Sequence, residues 1–346
     1  MEEKVIEVTA ELVACPSPGS IHITVPTSAQ IEPATAPPIV QRVGAPSGYA
    51  DASPEEVNEA YGRESVRKLV QHHAEALEQL RLAVQHDALY HPERHDDLFL
   101  LRFLLSHHRK GGDGVAAAAK AVRATLAYRH TWGMDADDLP CGGPEGLKVP
   151  AVAKMWAILR EPHAITYYCP DPRRGMLLIA TPALLDFHRA VATMTDEEQG
   201  ISHRMATEWM FRFCDRVTRR TGYLTKYVRI IDLSGIRLSH ISRDFQRRDA
   251  QIAKLLEEHY PQLLGNVFLC HAPGFMHAVF AGLRQFMPRR VVEKVDFLQP
   301  RRSARDRSRL LEYVTIEHLP ASLGGLCSTA VALQHNRRFS PGHLDV

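Results

Sequence analysis

The sequence has few cysteines and no closely spaced ones. Six cysteines are spread over 346 residues, and no two of them form a Cys-x-x-Cys pair. Structural zinc sites and dithiol redox sites both depend on such spacing, so neither is indicated. We expect reduced thiols that fill space in the core, as free cysteines commonly do.

Excess charge and long apolar runs are also missing. The formal net charge is only +2, so the global charge gives no support for a nucleic-acid partner. No stretch approaches the roughly 20 apolar residues of a transmembrane helix. The first residues, MEEKVIEVTAE, are acidic and lack the apolar run of a secretory signal. We therefore expect a soluble, cytoplasmic protein.

The sequence lacks the motifs of common hydrolases and nucleotide-binding proteins as well. It has no Gly-x-Ser-x-Gly elbow, the turn that carries the nucleophile of many acyl hydrolases. The glycine-rich segment 110–114 lacks the Lys-Ser/Thr ending of a phosphate-binding loop. The histidines at 72–73 and 107–108 are adjacent pairs, whose side chains point about 100° apart in a helix and do not match a metal site. We expect neither a metal nor enzymatic activity, and we interpret His271 as a packed, hydrogen-bonded histidine.

Composition divides the chain near residue 50. Residues 1–50 are rich in proline, alanine, serine and threonine and show no sustained periodicity, which predicts a disordered segment. From Ser53, where Ser-Pro-Glu-Glu has the spacing of a capping box, apolar periodicity predicts a helical subdomain over residues 51–148. Its helices are predicted from Ser53 to Val84, Leu98 to His108 and Val115 to Thr131. Residues 329–346 are interpreted as a C-terminal tail.

From about residue 150, short apolar strands alternate with helices. The predicted strands are Ala164 to Cys169, Met176 to Thr181, Tyr227 to Asp232, Val267 to Cys270 and one opened by Lys294. The predicted helices between them are Glu197 to Arg219 and Arg243 to His259. This alternation predicts an α/β fold with a mainly parallel sheet and crossover helices. The short turn containing proline and glycine between the first two strands predicts one antiparallel hairpin.

The helix predicted to begin after Pro273 is apolar on almost every side. Its apolar positions are Phe275, Met276, Val279, Phe280, Leu283, Phe286 and Met287. Polar interruption comes only from His277, Arg284 and Gln285. Such a helix must be covered by protein on one side and by something apolar, such as a lipid or a membrane surface, on the other.

Short motifs follow one another through the last third of the chain. They are Tyr260-Pro261 with Leu264-Gly265, Ala272-Pro273 with Phe275, Lys294, and Leu319-Pro320 with Gly324-Gly325. The upstream segments DDLFLLRFLLSHHRK, TLAYRHTWGMD and YVRIIDLSG belong to the same pattern. Over roughly Asp96 to Gly325, the chain resembles the CRAL-TRIO lipid-binding family. The resemblance implies a helical N-terminal part, followed over residues 149–328 by a mixed, mainly parallel sheet that encloses an apolar lipid pocket.

The resemblance implies a function without catalysis. The protein would bind a phospholipid or another hydrophobic ligand, with no other cofactor, and transfer or present it; phosphatidylinositol, tocopherol and a retinoid are all open. The helix after Pro273 would be the lid of the pocket, opening in transient contact with anionic membranes beside the arginines between Arg284 and Arg309. The alternative is an adaptor or regulator with the same fold, which binds membranes, phosphoinositides or a protein partner and is recruited through residues 1–50.

Two groups of residues are candidates for ligand contact. Besides the lid helix, apolar strand residues would either line the pocket or pack in the core: Leu177, Ile179, Ile231, Phe268 and Leu269. Phosphatidylinositol-binding members of the family imply a headgroup role for Lys294. This chain has Gln262 where those members have a glutamate, and His108 where they have a basic residue.

Members of the phosphatidylcholine type carry small hydroxyl residues where this chain has Tyr227 and Arg229. Strand alternation places these two residues and Ile231 on one face and Val228 on the other, and either face could line the pocket. If Arg229 faces inward, its guanidinium group matches a carboxylate or a phosphate.

Overall fold

The computed structural model describes residues 64–107, 114–140, 146–161, 163–168, 175–286 and 289–328. The predicted disordered segment 1–50, the tail 329–346 and His108 lie outside these ranges, so the interpretations made for them stay predictions. No helix among the described residues is both long and apolar enough to cross a membrane.

A helical layer precedes the sheet in the chain. Its helices are α1 (Val66–His72), α2 (Ala74–Val84), α3 (Asp97–His107) and α4 (Gly114–Thr131). They enclose one apolar core in which Leu80, Leu100 and Leu104 have no exposed surface. The predicted helix that reaches Val84 is two helices here, because His73 leaves helical geometry at φ −108°.

The second part is a five-stranded sheet with helices on both faces. The strands are β1 (Ile165–Tyr168), β2 (Met176–Ala180), β3 (Tyr227–Asp232), β4 (Leu264–Cys270) and β5 (Val295–Leu298). They lie in the order β1-β2-β3-β4-β5. The β1–β2 pair is antiparallel and the other pairs are parallel. Both the mainly parallel sheet and the single hairpin predicted from the sequence are confirmed.

Seven α-helices accompany these strands in the described part of the chain. They are α5 (Pro150–Trp156), α6 (Phe187–Thr193), α7 (Asp196–Thr221), α8 (Arg243–His259), α9 (Gly274–Leu283), α10 (Arg289–Val292) and α11 (Ala304–Leu311). Short 3-10 helices cover Pro182–Leu184, Leu238–His240, Arg284–Phe286 and Ala321–Leu323. The 26-residue α7 begins at a capping box formed by Thr195 and Glu198 and ends at Gly222, whose φ of 75° stops the helix.

Successive side chains along each strand point to opposite faces of the sheet, which gives the sheet two distinct faces. The closed face consists of Leu177, Ile179, Val228, Ile230, Phe268, Cys270 and Leu298, and it packs on α11 and the segment after it. The lid face consists of Ile165, Tyr167, Met176, Leu178, Tyr227, Arg229, Ile231, Val267, Leu269, Val295 and Phe297, as the strand register requires. In the described part of the chain, the closed face is packed against protein, whereas several side chains of the lid face are partly exposed.

The described cysteines agree with the sequence interpretation. Cys214, Cys270 and Cys327 are all buried, and none of them forms a disulfide bond. Burial raises the pKa of the Cys270 thiol well above its usual range, which makes this thiol a poor nucleophile.

The Leu-Pro-x-x-x-Gly-Gly motif closes the sealed face, and its last glycine is sterically required. A Cβ on Gly325 would overlap the backbone of Leu319, a residue with no exposed surface. We expect Gly325→Ala to lower the free energy of unfolding by about 1–3 kcal/mol, because the packed chain must shift to admit the methyl group. Urea denaturation would measure this loss. Gly274→Ala is the matched control, since a Cβ there meets nothing within 4 Å; equal stability of the two variants would contradict this account.

Candidate functional site

The helix α9 is apolar but only lightly packed. It begins after Pro273, whose extended ψ of 158° turns the chain into the helix. Four of its predicted lid residues, Phe275, Met276, Val279 and Phe280, are partly exposed, and none of the side chains described on α9 is buried. Leu283 is its last residue, and Phe286 lies in the 3-10 turn that follows. The helix therefore rests on the domain surface, with its described side chains only partly covered.

The inner side of α9 packs on the end of the lid face formed by β4 and β5. Met276 and Phe280 belong to one apolar cluster with Leu269, Phe297 and their neighbours. The Phe280 and Phe297 rings meet edge to face, with their centroids 5.4 Å apart. The ring of His277 stacks on Phe297 at 4.3 Å. We call α9 the lid helix from here on, for its position over this face.

The residues predicted to line the pocket lie on two different faces of the sheet. Ile231 lies on the lid face and belongs to the same cluster as Met276 and Phe280, as does Leu269. By contrast, Leu177, Ile179 and Phe268 lie on the closed face and pack against α11 and the C-terminal segment, at exposures of 1%, 7% and 0%. The sequence left both the pocket and the core open for these three residues; the pocket assignment is corrected, since they form the core behind the sheet.

Polar side chains also lie on the lid face, on the half covered by α7 and α8. Tyr167 pairs in register with Leu178, and Leu178 pairs with Arg229, which places all three on one face across three strands. The Tyr167 ring meets Trp209 of α7 edge to face at 4.9 Å. Burial raises the pKa of both Tyr167 and Tyr227 to about 12, so both hydroxyls are protonated at neutral pH.

A histidine and an acid from the covering helices complete this polar group. His203 of α7 and Asp249 of α8 form a pair with Nε2 and Oδ1 3.3 Å apart. Burial is the main cause that lowers the pKa of His203, and Arg229 lowers it further, whereas Asp249 opposes them. The sequence analysis did not single out this pair. Its only sequence signal is that each residue is polar in an amphipathic helix, a property that many solvent-exposed residues of α7 and α8 share.

The residues proposed for a phosphatidylinositol headgroup have partners within the protein. Gln262 adopts φ 59°, and its amide nitrogen donates to Ser106 Oγ of α3 at 3.1 Å. Lys294 donates to the Leu264 carbonyl at 2.7 Å, which joins the starts of β4 and β5. Both contacts support the fold, and a headgroup role for either residue stays a prediction.

His271 behaves as a packed histidine. It has a φ of 55°, and its Nδ1 lies 3.0 Å from Asp232 Oδ1. The same carboxylate oxygen accepts from the Ser234 backbone nitrogen at 3.0 Å. Both side chains are largely buried at the carboxyl ends of β3 and β4. The interpretation of His271 as a hydrogen-bonded histidine is confirmed, and this pair shapes the turn that leads into the lid helix.

A buried ionic network joins the helical layer to α7. Glu208, which is fully buried, accepts two hydrogen bonds from Arg129 at 3.0 and 3.1 Å. The same carboxylate accepts from Arg212 and from the hydroxyl of Tyr260, each at 2.9 Å. Tyr260 belongs to the Tyr-Pro motif, so the motif helps to hold the two layers together. Glu208 is not recognisable from the sequence, because its position within a helix rich in charge does not reveal its burial.

A separate groove of about 340 Å³ lies beside α7 and α8. It is lined by Trp132, Asp196, Glu197, Gly200, Arg204, Ile252, Leu255 and Leu256. The guanidinium of Arg204 sits over the Trp132 ring at 3.4 Å. None of these residues belongs to the lid helix or to the strands, so the groove is distinct from the site under the lid. In the described part of the chain, no cluster of three or more His, Cys, Asp or Glu side chains is arranged to hold a metal ion.

Comparison with known proteins identifies the domain. Residues 162–325 match the family model of the CRAL/TRIO domain, so this part of the chain is a CRAL/TRIO domain. The match spans the whole sheet, the lid helix and the Leu-Pro-x-x-x-Gly-Gly motif. It confirms the resemblance drawn from the sequence motifs.

Relatives found by sequence include a protein named for lipid transfer. A phosphatidylinositol/phosphatidylcholine transfer protein of Arabidopsis thaliana, SFH11, is 29% identical over 99 residues, which are 29% of this chain and 25% of that protein. The Sec14 cytosolic factor of Schizosaccharomyces pombe is 26% identical over 117 residues, 34% of this chain and 38% of the relative. The chain thus spans less than two fifths of the length of either relative.

A solved structure shares the fold. The crystal structure of Sfh5 superposes with a TM-score of 0.52 over 75% of this chain and 91% of that one, at 10% sequence identity. At such low identity the superposition establishes the fold alone. It supports the prediction of a helical part followed by a mixed, mainly parallel sheet.

Proposed function

We propose that this protein binds one lipid or similar hydrophobic ligand between the lid helix and the lid face of the sheet, and carries it between membranes. The observation that carries this proposal is the packing of the lid helix, which is apolar on almost every side while none of its described side chains is buried. Soluble proteins rarely leave such a surface without a function. The relatives named as transfer proteins for phosphatidylinositol and phosphatidylcholine support the same function.

The energetics of lipid extraction explain why so much apolar surface is needed. A two-chain phospholipid that leaves a bilayer exposes about 30 methylene groups at about 0.8 kcal/mol each, a cost above about 20 kcal/mol. Hydrogen bonds at the headgroup are too weak to offset this cost. A carrier must therefore replace the bilayer with its own apolar wall. The cluster of Ile231, Leu269, Phe297, Met276 and Phe280 provides such a wall under the lid helix.

Exposed arginines favour a membrane as the place of exchange. Arg301 and Arg302 are exposed and follow β5, and the Gln299 amide reaches the Ala272 carbonyl at 3.5 Å, which holds this loop beside the start of the lid helix. Arg309 is neutralised by Asp296 at 3.0 Å. Basic groups next to an apolar helix favour docking on anionic lipid. The protein would act without catalysis, hold its ligand as the only non-protein component, and work in the cytoplasm at membrane surfaces.

A vesicle assay tests this function. Donor vesicles carry a fluorescent phospholipid or a fluorescent fatty acid, and acceptor vesicles are either neutral or contain anionic lipid. We expect the purified protein to accelerate transfer of at least one ligand, and to do so faster with anionic acceptors. Leu82→Asp, which changes an exposed leucine on α2, should transfer as the wild type does. Transfer at the spontaneous rate for every ligand would refute the proposal.

A further inference from the structure

Arg229 is a cation in the middle of the sheet. It lies on β3, the central strand, and its register neighbours are Leu178 on β2 and Val267 on β4. Its side chain is on the lid face, because Val228 and Ile230 on either side of it belong to the closed core. A charged group between two apolar neighbours in a central strand is costly unless a partner of opposite charge meets it.

The residues around Arg229 are enclosed by protein without being completely covered. Tyr167, Tyr227 and Arg229 each keep some accessible surface. Burial is nevertheless the largest cause of the raised pKa of both tyrosines, so protein surrounds them. Side chains that are enclosed but not fully covered line a cavity or a cleft. The helices α7 and α8 cover this space through Trp209 and Asp249.

The guanidinium group of Arg229 has unused hydrogen-bonding capacity. Its Nε is buried and has no hydrogen-bond partner among the described residues. No carboxylate in the described part of the chain forms an ion pair with it. Two acids of α8, Glu257 and Asp249, lie near Tyr227, and Asp249 is paired with His203. With the protonated hydroxyls of Tyr167 and Tyr227, this wall offers donors and a positive charge, which suit an anionic acceptor and repel a cationic group.

We propose that Arg229, assisted by Tyr227 and Tyr167, binds the acidic group of an amphiphilic ligand, a carboxylate or a phosphate, whose apolar part extends under the lid helix. Ile231, the next residue on this face, lies about 7 Å further along β3, and it begins the apolar cluster beneath Met276 and Phe280. One ligand can therefore place its polar head at Arg229 and its apolar chain along Ile231 and Leu269. This inference rests on the proposed function and specifies the ligand class.

Binding assays on the delipidated full chain test the assignment. The ligands are oleate, dioleoyl phosphatidic acid, and the uncharged methyl oleate and dioleoylglycerol as chain-matched references. Arg229→Met keeps the length of the side chain and removes its charge, and Arg229→Lys keeps the charge without the planar group. We expect Arg229→Met to lose about tenfold to a hundredfold in affinity for the acidic ligand, with unchanged affinity for the uncharged partner. The lysine variant should retain part of the preference.

The arms of the assay separate the possible outcomes. A loss confined to oleate identifies a carboxylate ligand, and a loss confined to phosphatidic acid identifies a phosphate ligand. Equal affinity of the wild type and Arg229→Met for both acids would overturn the assignment. Binding of the uncharged ligands alone would refute the acidic ligand and leave the carrier function intact, whereas binding of none of the four would refute the carrier function itself. Thermal denaturation of each variant checks that the fold is retained.

Discussion

Replacing Phe280 with aspartate is expected to reduce ligand transfer at least about tenfold. The Phe280 ring lies on the inner side of the lid helix and meets Phe297 edge to face. A carboxylate at this position would face the apolar cluster of the lid face, where an unpaired charge is strongly unfavourable. The closed lid would therefore be destabilised, and the ligand would lose part of its cover. The vesicle assay measures the rate directly.

Two control variants separate the lid from general damage. Leu82→Asp also replaces an apolar side chain with aspartate, on a helix outside the CRAL/TRIO domain and at a side chain that is 52% exposed. Phe275→Asp changes a partly exposed residue at the start of the lid helix and is expected to weaken vesicle binding, since apolar insertion favours membrane docking. The folded state should survive all three changes, because none of these side chains is buried. Transfer by Phe280→Asp at the wild-type rate would show that the helix is not the lid.

Replacing Glu208 with glutamine is expected to lower the free energy of unfolding by about 3–5 kcal/mol. Arg129, whose side chain is only 8% exposed, would keep Asp135 at 2.8 Å but lose the buried carboxylate of Glu208. Arg212 and Tyr260 would lose the same charged acceptor. The loss of several charge-assisted hydrogen bonds in a buried network carries a penalty of this size. The partners reinforce each other, since Glu208 raises the pKa of Arg129 and, after burial, raises the pKa of Tyr260. Such a loss is a large part of the stability of an ordinary domain.

Urea denaturation measures this effect against an exposed pair. Glu293→Gln makes the same substitution opposite Arg289, where the side chains are 58% and 93% exposed. Exposed pairs of this kind contribute at most about 0.5 kcal/mol. We expect the two variants to differ by several kcal/mol, with Glu208→Gln also loosening the helical layer from the sheet. If Glu208→Gln changed the free energy of unfolding by less than about 1 kcal/mol, the network would not stabilise the fold.

The sequence predicts the order of elements well because hydrophobic periodicity is a local property. The strand Tyr227–Asp232 and the helix Arg243–His259 are found at the predicted residues. The motifs that carry the family resemblance also contain residues that the fold requires, at a close backbone contact and in a buried hydrogen bond. Gly325 lies against the backbone of Leu319, and Tyr260 donates to Glu208.

The sequence could not assign the strand residues to the two faces. In a sheet with helices on both sides, β2 and β4 are apolar at nearly every position. The alternation of side chains along a strand therefore does not reveal which of them face the lid helix. Leu177 and Phe268 were predicted for the pocket for this reason, although they lie in the closed core. In β3 the polar residues mark one face, because Tyr227 and Arg229 alternate with Val228 and Ile230. The site of Arg229 becomes visible once the strand register is known.

The mass of the protein as purified decides whether it is a carrier. Native mass spectrometry of the full chain, followed by extraction and identification of whatever is released, would show the ligand without any assumption about its identity. We expect one hydrophobic ligand per chain, bearing a carboxylate or a phosphate, and its loss from Arg229→Met. A protein that shows only the mass of its polypeptide, and that takes up none of the offered lipids from vesicles, would contradict the account.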